Sequence, residues 1–371
     1  MWFSFSSLSV FLVAIATVAS QQQQPNLFEH FINWARAYEV KLGDSLRTDR
    51  LFRTWLDNHK FIESFNANPN KTFTLGHNQF SAMTTDEFKQ YLWSNQEQDH
   101  TRRNLRGYTV TVQMTFTDSE EVNVNNASTQ SHDDDASMVS LDIPTEVDWV
   151  AKGAVTPVKD QGQCGSCWSF STTGALEGAF FVKNQRLESF SEQQLVDCDN
   201  LKNGGKDHGC NGGLMDNAFD WIHKNGGLCT EQSYPYVSGQ TMKAGTCTTT
   251  CKLVSGSIVQ NHVDVTAKSD QAMMEALAKQ PVSVAIEADQ KEFQLYKSGV
   301  FTAACGTNLD HGVLVVGYGT DTTSGLNFYK VKNSWGTTWG QNGYILLARG
   351  ASYNNGAGQC GVLMEASYPV L

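Results

Sequence analysis

The stretch Gln161-Gly-Gln-Cys164-Gly-Ser-Cys167-Trp-Ser-Phe170 joins a glycine-punctuated turn to the start of a helical pattern. After Cys167, apolar residues recur at helical spacing, so we predict a helix that begins at or just before this cysteine. The unpaired N–H groups and the dipole at a helix N-terminus favour negative charge. We therefore predict a lowered pKa and a nucleophilic thiolate for Cys167.

A base and an orienting amide follow much later in the chain. Asp310-His311-Gly312 begins an apolar run, and Lys332-Asn333-Ser334-Trp335-Gly336 lies further on. A cysteine nucleophile, a histidine and an asparagine are the components of an acyl-transfer site. The order Cys167, His311, Asn333 predicts that chemistry.

The hexapeptide Gln163-Cys164-Gly165-Ser166-Cys167-Trp168 matches the cysteine signature of the papain and cathepsin family. Over roughly 27–93 and 140–371 the chain resembles a cathepsin-L-like zymogen of that family. The resemblance implies an α+β, papain-like fold with a helical left lobe, a β-barrel right lobe and a helical inhibitory prodomain in front. It also implies a cysteine endopeptidase that hydrolyses peptide bonds through a thioester acyl-enzyme.

Composition sets the broad class. The 371 residues are 40% hydrophobic and 18% charged, and the net charge of −11 argues against nucleic-acid binding, which needs basic patches. With Cys167 set aside, eight of the nine cysteines remain, which in a secreted chain predicts four disulfides and one free thiol. The single Cys-x-x-Cys has no second pair at zinc-ribbon spacing, so we predict no metal and no other cofactor.

Four segments are predicted along the chain. Residues 1–20 are apolar, end in small residues and predict a signal peptide, and no later stretch has transmembrane length. Residues 21–93 predict a helical inhibitory prodomain, residues 94–139 an acidic and polar linker without stable structure, and residues 140–371 the peptidase domain. We expect the secretory pathway, ending outside the cell or in a lysosome or vacuole.

The prodomain carries part of a family signature. A helix from about Ser45 to Asn66 and the run Gly76-His-Asn78-Gln-Phe80-Ser-Ala82 resemble the two motifs of cathepsin-L-like prodomains, which fill the cleft in reverse peptide direction. Arg47 and Leu51 replace the family's Glu and Arg, and Ala82 replaces its Asp. Acid is expected to trigger maturation, but the missing charges leave the pH sensor of this prodomain open. Cleavage is expected within 136–142, and Asn70 and Asn126 begin glycosylation sequons.

The resemblance also assigns roles to single residues. Cys167 would be the nucleophile and His311 the proton shuttle, while Asn333 would orient the imidazole beneath Trp335. Gln161 would help to bind the oxyanion. The substrate-binding residues implied in the same way are Gly212, Gly213, Leu214, Met215, Ala285, Leu309, Asp310, Gly312, Trp335 and Glu365.

Glu365 would lie at the floor of the S2 pocket. A carboxylate there can pair with a P2 Arg, or turn aside for Leu or Phe, so we predict acceptance of all three. The alternative is that Glu365 points to solvent.

The disulfides follow partly from the resemblance. It implies Cys164–Cys210 and Cys305–Cys360. Either Cys247 or Cys251 could serve Cys198, because connectivity cannot be deduced from spacing alone. The favoured arrangement is Cys198–Cys251 with Cys229–Cys247.

Two other function classes compete with an active protease. One is a non-catalytic homologue or a stand-alone inhibitory prodomain, and the other is a disulfide oxidoreductase that uses Cys164 and Cys167. The absence of an occluding-loop insertion between Cys198 and Cys210 favours an endopeptidase. The expected partners are protein and peptide substrates, the protein's own prodomain and cystatin-type inhibitors, with no nucleic acid and no membrane, and the protein is expected to be a monomer.

Overall fold

The computed structural model describes residues 27–93 and 143–371. The predicted signal peptide, linker, cleavage site and Asn126 sequon lie outside these residues. Within them, no helix combines the length and the apolar character needed to cross a membrane.

The first described segment forms three helices and one short strand. Helix α1 covers residues 27–37, α2 covers Ser45–Asn66, β1 covers Phe73–Leu75 and α3 covers Thr85–Trp93. Asp44 caps α2 by accepting the Arg47 N–H, which satisfies an otherwise unpaired donor. The segment has its own apolar core, formed by Phe31, Trp34, Ala35, Leu51, Trp55 and Ala82. Leu51 and Ala82, which stand where the family has charged residues, are thus buried in this core.

Helices dominate the first half of the second segment. Helix α4 covers Cys167–Asn184, α5 covers Glu192–Cys198, α6 covers Met215–Asn225 and α7 covers Ser238–Thr241. Helix α4 is buried on nearly all sides, and its hydroxyl side chains bond carbonyl groups, as Ser171 does with Val313 O at 2.7 Å. A helix buried on nearly all sides, with its polar side chains hydrogen-bonded, occupies a core position. Cys167 therefore stands at the end of a rigid, central element.

Strands dominate the second half. They are β2 (Val147–Asp148), β3 (Asn261–Asp264), β4 (Val282–Ile286), β5 (Tyr296–Phe301), β6 (His311–Thr320), β7 (Asn327–Lys332), β8 (Tyr344–Ala348) and β9 (Ala366–Val370), with helices α8 (Asp270–Leu277) and α9 (Lys291–Gln294) between them. The order in the sheet is β1-β5-β8-β7-β6-β4-β9-β3, with β2 beside β6. All pairs are antiparallel except β5 with β8.

The α+β, papain-like architecture is as predicted, but the sheet is open. Closure into a barrel requires its two edge strands to pair. In the described residues β1 and β3 are the edges and do not pair with each other. The prodomain's β1 occupies one edge by pairing with β5, and β3 pairs only with β9.

Two disulfides differ from the favoured arrangement. The structure contains Cys164–Cys210 and Cys305–Cys360, but it joins Cys198 to Cys247 and Cys229 to Cys251. The prediction of Cys198–Cys251 and Cys229–Cys247 is therefore wrong. Two contacts explain why the cysteines pair in this way. Asp197, beside Cys198, accepts the Gly245 N–H near Cys247, and Cys229 forms a β-bridge with Leu253 near Cys251.

Candidate active site

Cys167 is the first residue of α4 and the one free cysteine of the chain. The loop before it is fastened on one side by the Cys164–Cys210 disulfide. On the other side Gly312 is so close that a Cβ added to it would lie 3.3 Å from the backbone nitrogen of Trp168. The start of β6 therefore abuts the start of α4, which brings His311 and Cys167 to the same place.

His311 begins β6 and is only 2% exposed. Its Nε2 lies 2.8 Å from Asn333 Oδ1, and the Trp335 ring stacks on the imidazole with centroids 4.7 Å apart. Its Nδ1 is buried and has no hydrogen-bond partner among the described residues. One ring nitrogen is thus held by an amide under an aromatic cover, and the other is left for chemistry. A partner that holds one nitrogen of an imidazole also selects its tautomer.

Gln161 connects the two loops of the site. Its backbone N–H donates to Ser334 O at 2.8 Å, and its Oε1 accepts from Ser334 Oγ at 2.7 Å. Its Nε2 donates to Cys164 O at 3.1 Å. The side chain is therefore anchored between the loop before Cys167 and the residue after Asn333.

Burial dominates the electrostatics of the site. It raises the pKa of the Cys167 thiol to about 11, although the Gly312 and Trp168 backbone N–H groups act in the opposite direction. It also lowers the pKa of His311 to about 4, against the effect of Asn333. The prediction of a lowered thiol pKa is wrong for this form of the protein, because the cost of desolvating a thiolate exceeds the benefit of the helix N-terminus.

The prodomain contributes to that burial. The rings of Phe80, Phe88 and Tyr91 lie 5.3, 5.6 and 6.4 Å from the Trp335 ring. Gln79 Nε2 also donates to Trp335 O at 2.6 Å. Burial, and secondarily Asp160, Tyr236 and Cys167, raise the pKa of Tyr91 well above its usual range. The described form is therefore one in which the prodomain covers the site.

Hydrogen bonds hold the cover in place. Strand β1 pairs with β5, so that Thr74 lies opposite Ser298. Asn78 Nδ2 donates to Gln294 O at 2.7 Å, and Gln294 Nε2 donates to Phe80 O at 2.9 Å. Asn78 and Phe80, both members of the predicted motif, thus bond Gln294, the last residue of α9.

The structure brings most of the predicted S2 residues together. Gly312 lies opposite Ala285 in the β4–β6 pair, and a Cβ added to Gly312 would lie 3.3 Å from Met215 Sδ. Glu365 O accepts the Ala285 N–H at 3.1 Å. Glu365 is half-buried.

The remaining predicted residues lie around this group. Gly212, Gly213 and Leu214 lead into α6. Leu309 packs against Gly361, and Asp310 Oδ1 accepts the Ala288 N–H at 2.8 Å.

A charged cluster that no sequence pattern predicted lies beside Asn333. Lys159 Nζ lies 3.1 Å from Glu177 Oε1 and 2.6 Å from Glu192 Oε1. These three residues line a cavity of about 20 Å³ together with Lys332 and Asn333. Burial lowers the pKa of Lys332 to about 8. Glu177, an acid within the otherwise apolar run of α4, is the sequence feature from which this cluster could have been predicted.

One group of metal-ligand types occurs in the described ranges, away from these residues. Ligand atoms of Asp216, His262 and Asp264 lie within 4.8 Å of one another. The Asp264 side chain is 75% exposed, and Asp216 accepts a hydrogen bond from Ser367 Oγ at 2.5 Å. Nothing in the group points to a bound ion.

Comparison with known proteins gives a consistent result. The family model described as papain family cysteine protease matches residues 143–370, and the cathepsin propeptide inhibitor domain matches residues 31–88. The chain is 43% identical over 338 residues to the senescence-specific cysteine protease SAG39 of Oryza sativa subsp. indica, covering 91% of this chain and 88% of that protein. It is 43% identical over 355 residues to the thiol protease SEN102 of Hemerocallis sp., covering 95% and 88%.

A solved structure shares the whole arrangement. The proform of the Amb a 11 cysteine protease, a ragweed pollen allergen, superposes with a TM-score of 0.74 at 34% identity. The match covers 93% of this chain and 94% of that one, so it includes the prodomain as well as the peptidase domain.

Proposed function

The chain belongs to the papain family of cysteine proteases, as an endopeptidase made in zymogen form, and on that premise we propose which of its residues carry out and control the reaction. Cys167 is the nucleophile, His311 the acid and base, Asn333 the residue that orients His311, and Gln161 an oxyanion donor.

The reaction runs in two halves. The Cys167 sulfur adds to the peptide carbonyl carbon as its proton passes to His311 Nδ1, and the Gln161 amide together with the Cys167 N–H binds the resulting oxyanion. His311 then gives its proton to the leaving amine, the C–N bond breaks and a thioester remains. His311 next takes a proton from water, the hydroxide adds to the thioester, and the carboxylic acid leaves as Cys167 is released.

One observation carries this assignment. His311 Nε2 bonds Asn333 under the Trp335 ring, while Nδ1 is buried without a partner at the point where β6 abuts α4. This arrangement directs Nδ1 to the nucleophile and supports an imidazole that stays in one plane as it accepts and donates protons.

The test uses purified precursor at about pH 5, near the unperturbed pKa of carboxylates. Wild type and Cys167→Ala are incubated with a fluorogenic peptide that has Leu at P2. We expect activity and truncation to a form beginning within 136–142 in the wild type alone. Activity in Cys167→Ala would refute the assignment. If the folded wild type shows no peptidase activity, even after addition of a mature papain-family enzyme, the non-catalytic alternative is favoured.

We also propose that Glu365 admits Arg at P2, beside Leu and Phe. Its backbone carbonyl bonds Ala285, which lies opposite Gly312, and this supports a place for Glu365 at the end of the pocket. Glu365→Ala should lower the Arg to Leu ratio of kcat/KM, and Glu365→Gln, which keeps the shape without the charge, should do the same. An unchanged ratio in both variants would refute the proposal.

The segment boundaries belong to the same proposal. Residues 21–93 form the intramolecular inhibitor, 94–139 the linker and 140–371 the mature enzyme, after a signal peptide at 1–20. The plant relatives and the four disulfides support passage through the secretory pathway to the vacuole or the cell exterior. Asn70 is exposed after α2, which supports its use as a glycan acceptor. We further propose that the mature enzyme is a monomer that binds cystatin-type inhibitors.

The oxidoreductase alternative has little support. It requires exchange between Cys164 and Cys167, but Cys164 is bonded to Cys210. Alkylation of Cys167 alone should abolish activity, whereas an oxidoreductase would depend on both cysteines.

A further inference from the structure

Two carboxyl groups are buried together under the loop that leads into α6. Asp199 is 0% exposed and Asp207 is 1% exposed. Asp199 Oδ1 accepts the Lys206 N–H at 3.1 Å, and a Cβ on Gly205 would lie 1.9 Å from that oxygen, so only glycine leaves room for it. Burying one ionised carboxylate is costly, and burying two side by side is more so.

Each of the two acids has a buried second oxygen. Neither Asp199 Oδ2 nor Asp207 Oδ2 has another hydrogen-bond partner among the described residues, and the two carboxyl groups lie within hydrogen-bonding reach of one another. Two carboxyl groups can form such a bond only when they share a proton. Burial and the neighbouring Asp199 raise the pKa of Asp207 well above its usual range.

The surroundings offer little compensating charge. Lys224 of α6 is the cation that acts on Asp199. The Lys206 ammonium lies 3.4 Å from Asp220 instead, and His208 is exposed. Loss of the shared proton would therefore leave two negative charges in a buried site.

The other oxygen of Asp207, Oδ1, supports the proposed substrate-binding loop, residues 212–214. Its Oδ1 accepts the Leu214 N–H and the Asn217 Nδ2–H, both at 3.0 Å. A Cβ added to Gly213 would lie 2.8 Å from Asp207 Cγ and 2.6 Å from the Trp168 ring. The carboxyl thus lies directly beneath Gly213 and beside the residue that follows the nucleophile.

We propose that Asp199 and Asp207 are positioning residues, a proton-sharing acid pair that holds residues 212–214 in the conformation that binds the substrate backbone. The proposal rests on the proposed role of Gly213 in substrate binding. When the shared proton is lost at alkaline pH, the two charges repel, Asp207 releases the Leu214 N–H, and KM rises while kcat changes little.

The test measures kcat and KM of the matured enzyme from acid to alkaline pH. In the wild type, we expect KM to rise at alkaline pH by about tenfold, the effect of losing one hydrogen bond to a charged group. In Asp199→Asn, the amide donates to Asp207 without a shared proton, so that rise should disappear. Asp264→Asn, at an acid on β3 whose side chain is 75% exposed, is the matched control and should keep the wild-type profile.

Two kinetic results would overturn the proposal: a flat KM in the wild type, or an unchanged alkaline rise in Asp199→Asn. Loss of all activity in Cys167→Ala tests the catalytic assignment separately, because the pair should alter KM without altering the nucleophile.

An infrared measurement on the full-length Cys167→Ala zymogen needs neither activity nor a folded dyad variant. Burial also raises the pKa of Glu231, to about 8, so Glu231→Gln is added to remove its signal. We expect a protonated-carboxyl stretch at neutral pH. Its absence would overturn the proposal.

Discussion

Acidification should lower the stability of the folded prodomain through His77, a histidine whose role no sequence motif indicated. His77 Nε2 lies 3.1 Å from His59 Nδ1, and both rings stack on Trp55, with centroids 4.5 and 5.1 Å from it. The other ring nitrogen of His77 is buried without a hydrogen-bond partner among the described residues. Burial, and secondarily His59, lower the pKa of His77 to about 4.

The magnitude follows from this pKa. An unfolded prodomain takes up a proton at His77 near pH 6.5, but the folded one stays neutral until about pH 4. The folded state therefore binds fewer protons between these values, and the free energy of unfolding decreases as pH falls, by about 1.4 kcal/mol per pH unit. Relative to pH 7, the loss is about 2 kcal/mol at pH 5 and about 3 kcal/mol at pH 4.

The assay uses the Cys167→Ala zymogen, which cannot cleave itself. Urea unfolding of this zymogen, followed by the fluorescence of its tryptophans, gives the free energy of unfolding at pH 7 and pH 5, and comparison with a His77 variant isolates the contribution of that histidine. His77→Leu should reduce the pH-dependent loss by about 2 kcal/mol. His30→Leu, at an exposed histidine of α1, should not reduce it. Equal losses in the wild type and His77→Leu would refute the reasoning.

Four further predictions concern the site and the fold. Gln161→Ala should lower kcat/KM roughly 10²- to 10³-fold by removing an oxyanion donor, and a loss below tenfold would contradict that role. Phe80→Ala should weaken the packing on the active site by about 3–5 kcal/mol and allow maturation at higher pH, which a pH series of processing rates would check. Glu177→Gln should lower the Tm of the mature enzyme, because it removes one member of a buried charge cluster, and an unchanged Tm would contradict that cluster's importance. Peptide mapping without reduction should recover Cys198 joined to Cys247, and recovery of either cysteine with another partner would contradict the structure.

The predictions that succeeded rest on patterns within short stretches. The apolar spacing after Cys167 predicted a helix start there, and α4 begins at that residue. The spacing between Ser45 and Asn66 predicted a helix that α2 reproduces. Periodicity predicts these helices because the buried face of a helix recurs every three to four residues, so that each turn repeats the same apolar spacing.

Other outcomes depended on contacts between distant segments. The disulfide partners of Cys198 and Cys229 depend on the hydrogen bond from Gly245 to Asp197 and on the β-bridge between Cys229 and Leu253. The spacing of the cysteines predicts neither contact. The thiol pKa of Cys167 was predicted from its helix position alone. In the structure this pKa is raised and not lowered, because side chains from other segments, among them those of the prodomain, exclude water from the site.

The sequence by itself determined the family, the order of nucleophile, base and orienting amide, and the helix that carries Cys167. Those properties lie in local motifs and in the chemistry of single residues. Only the tertiary structure decided the open sheet, the disulfide partners, the stacking of His59 and His77 on Trp55, and the meeting of Asp199 with Asp207. Pairing and proton affinity depend on which groups share a buried space, and that is set when distant parts of the chain pack together.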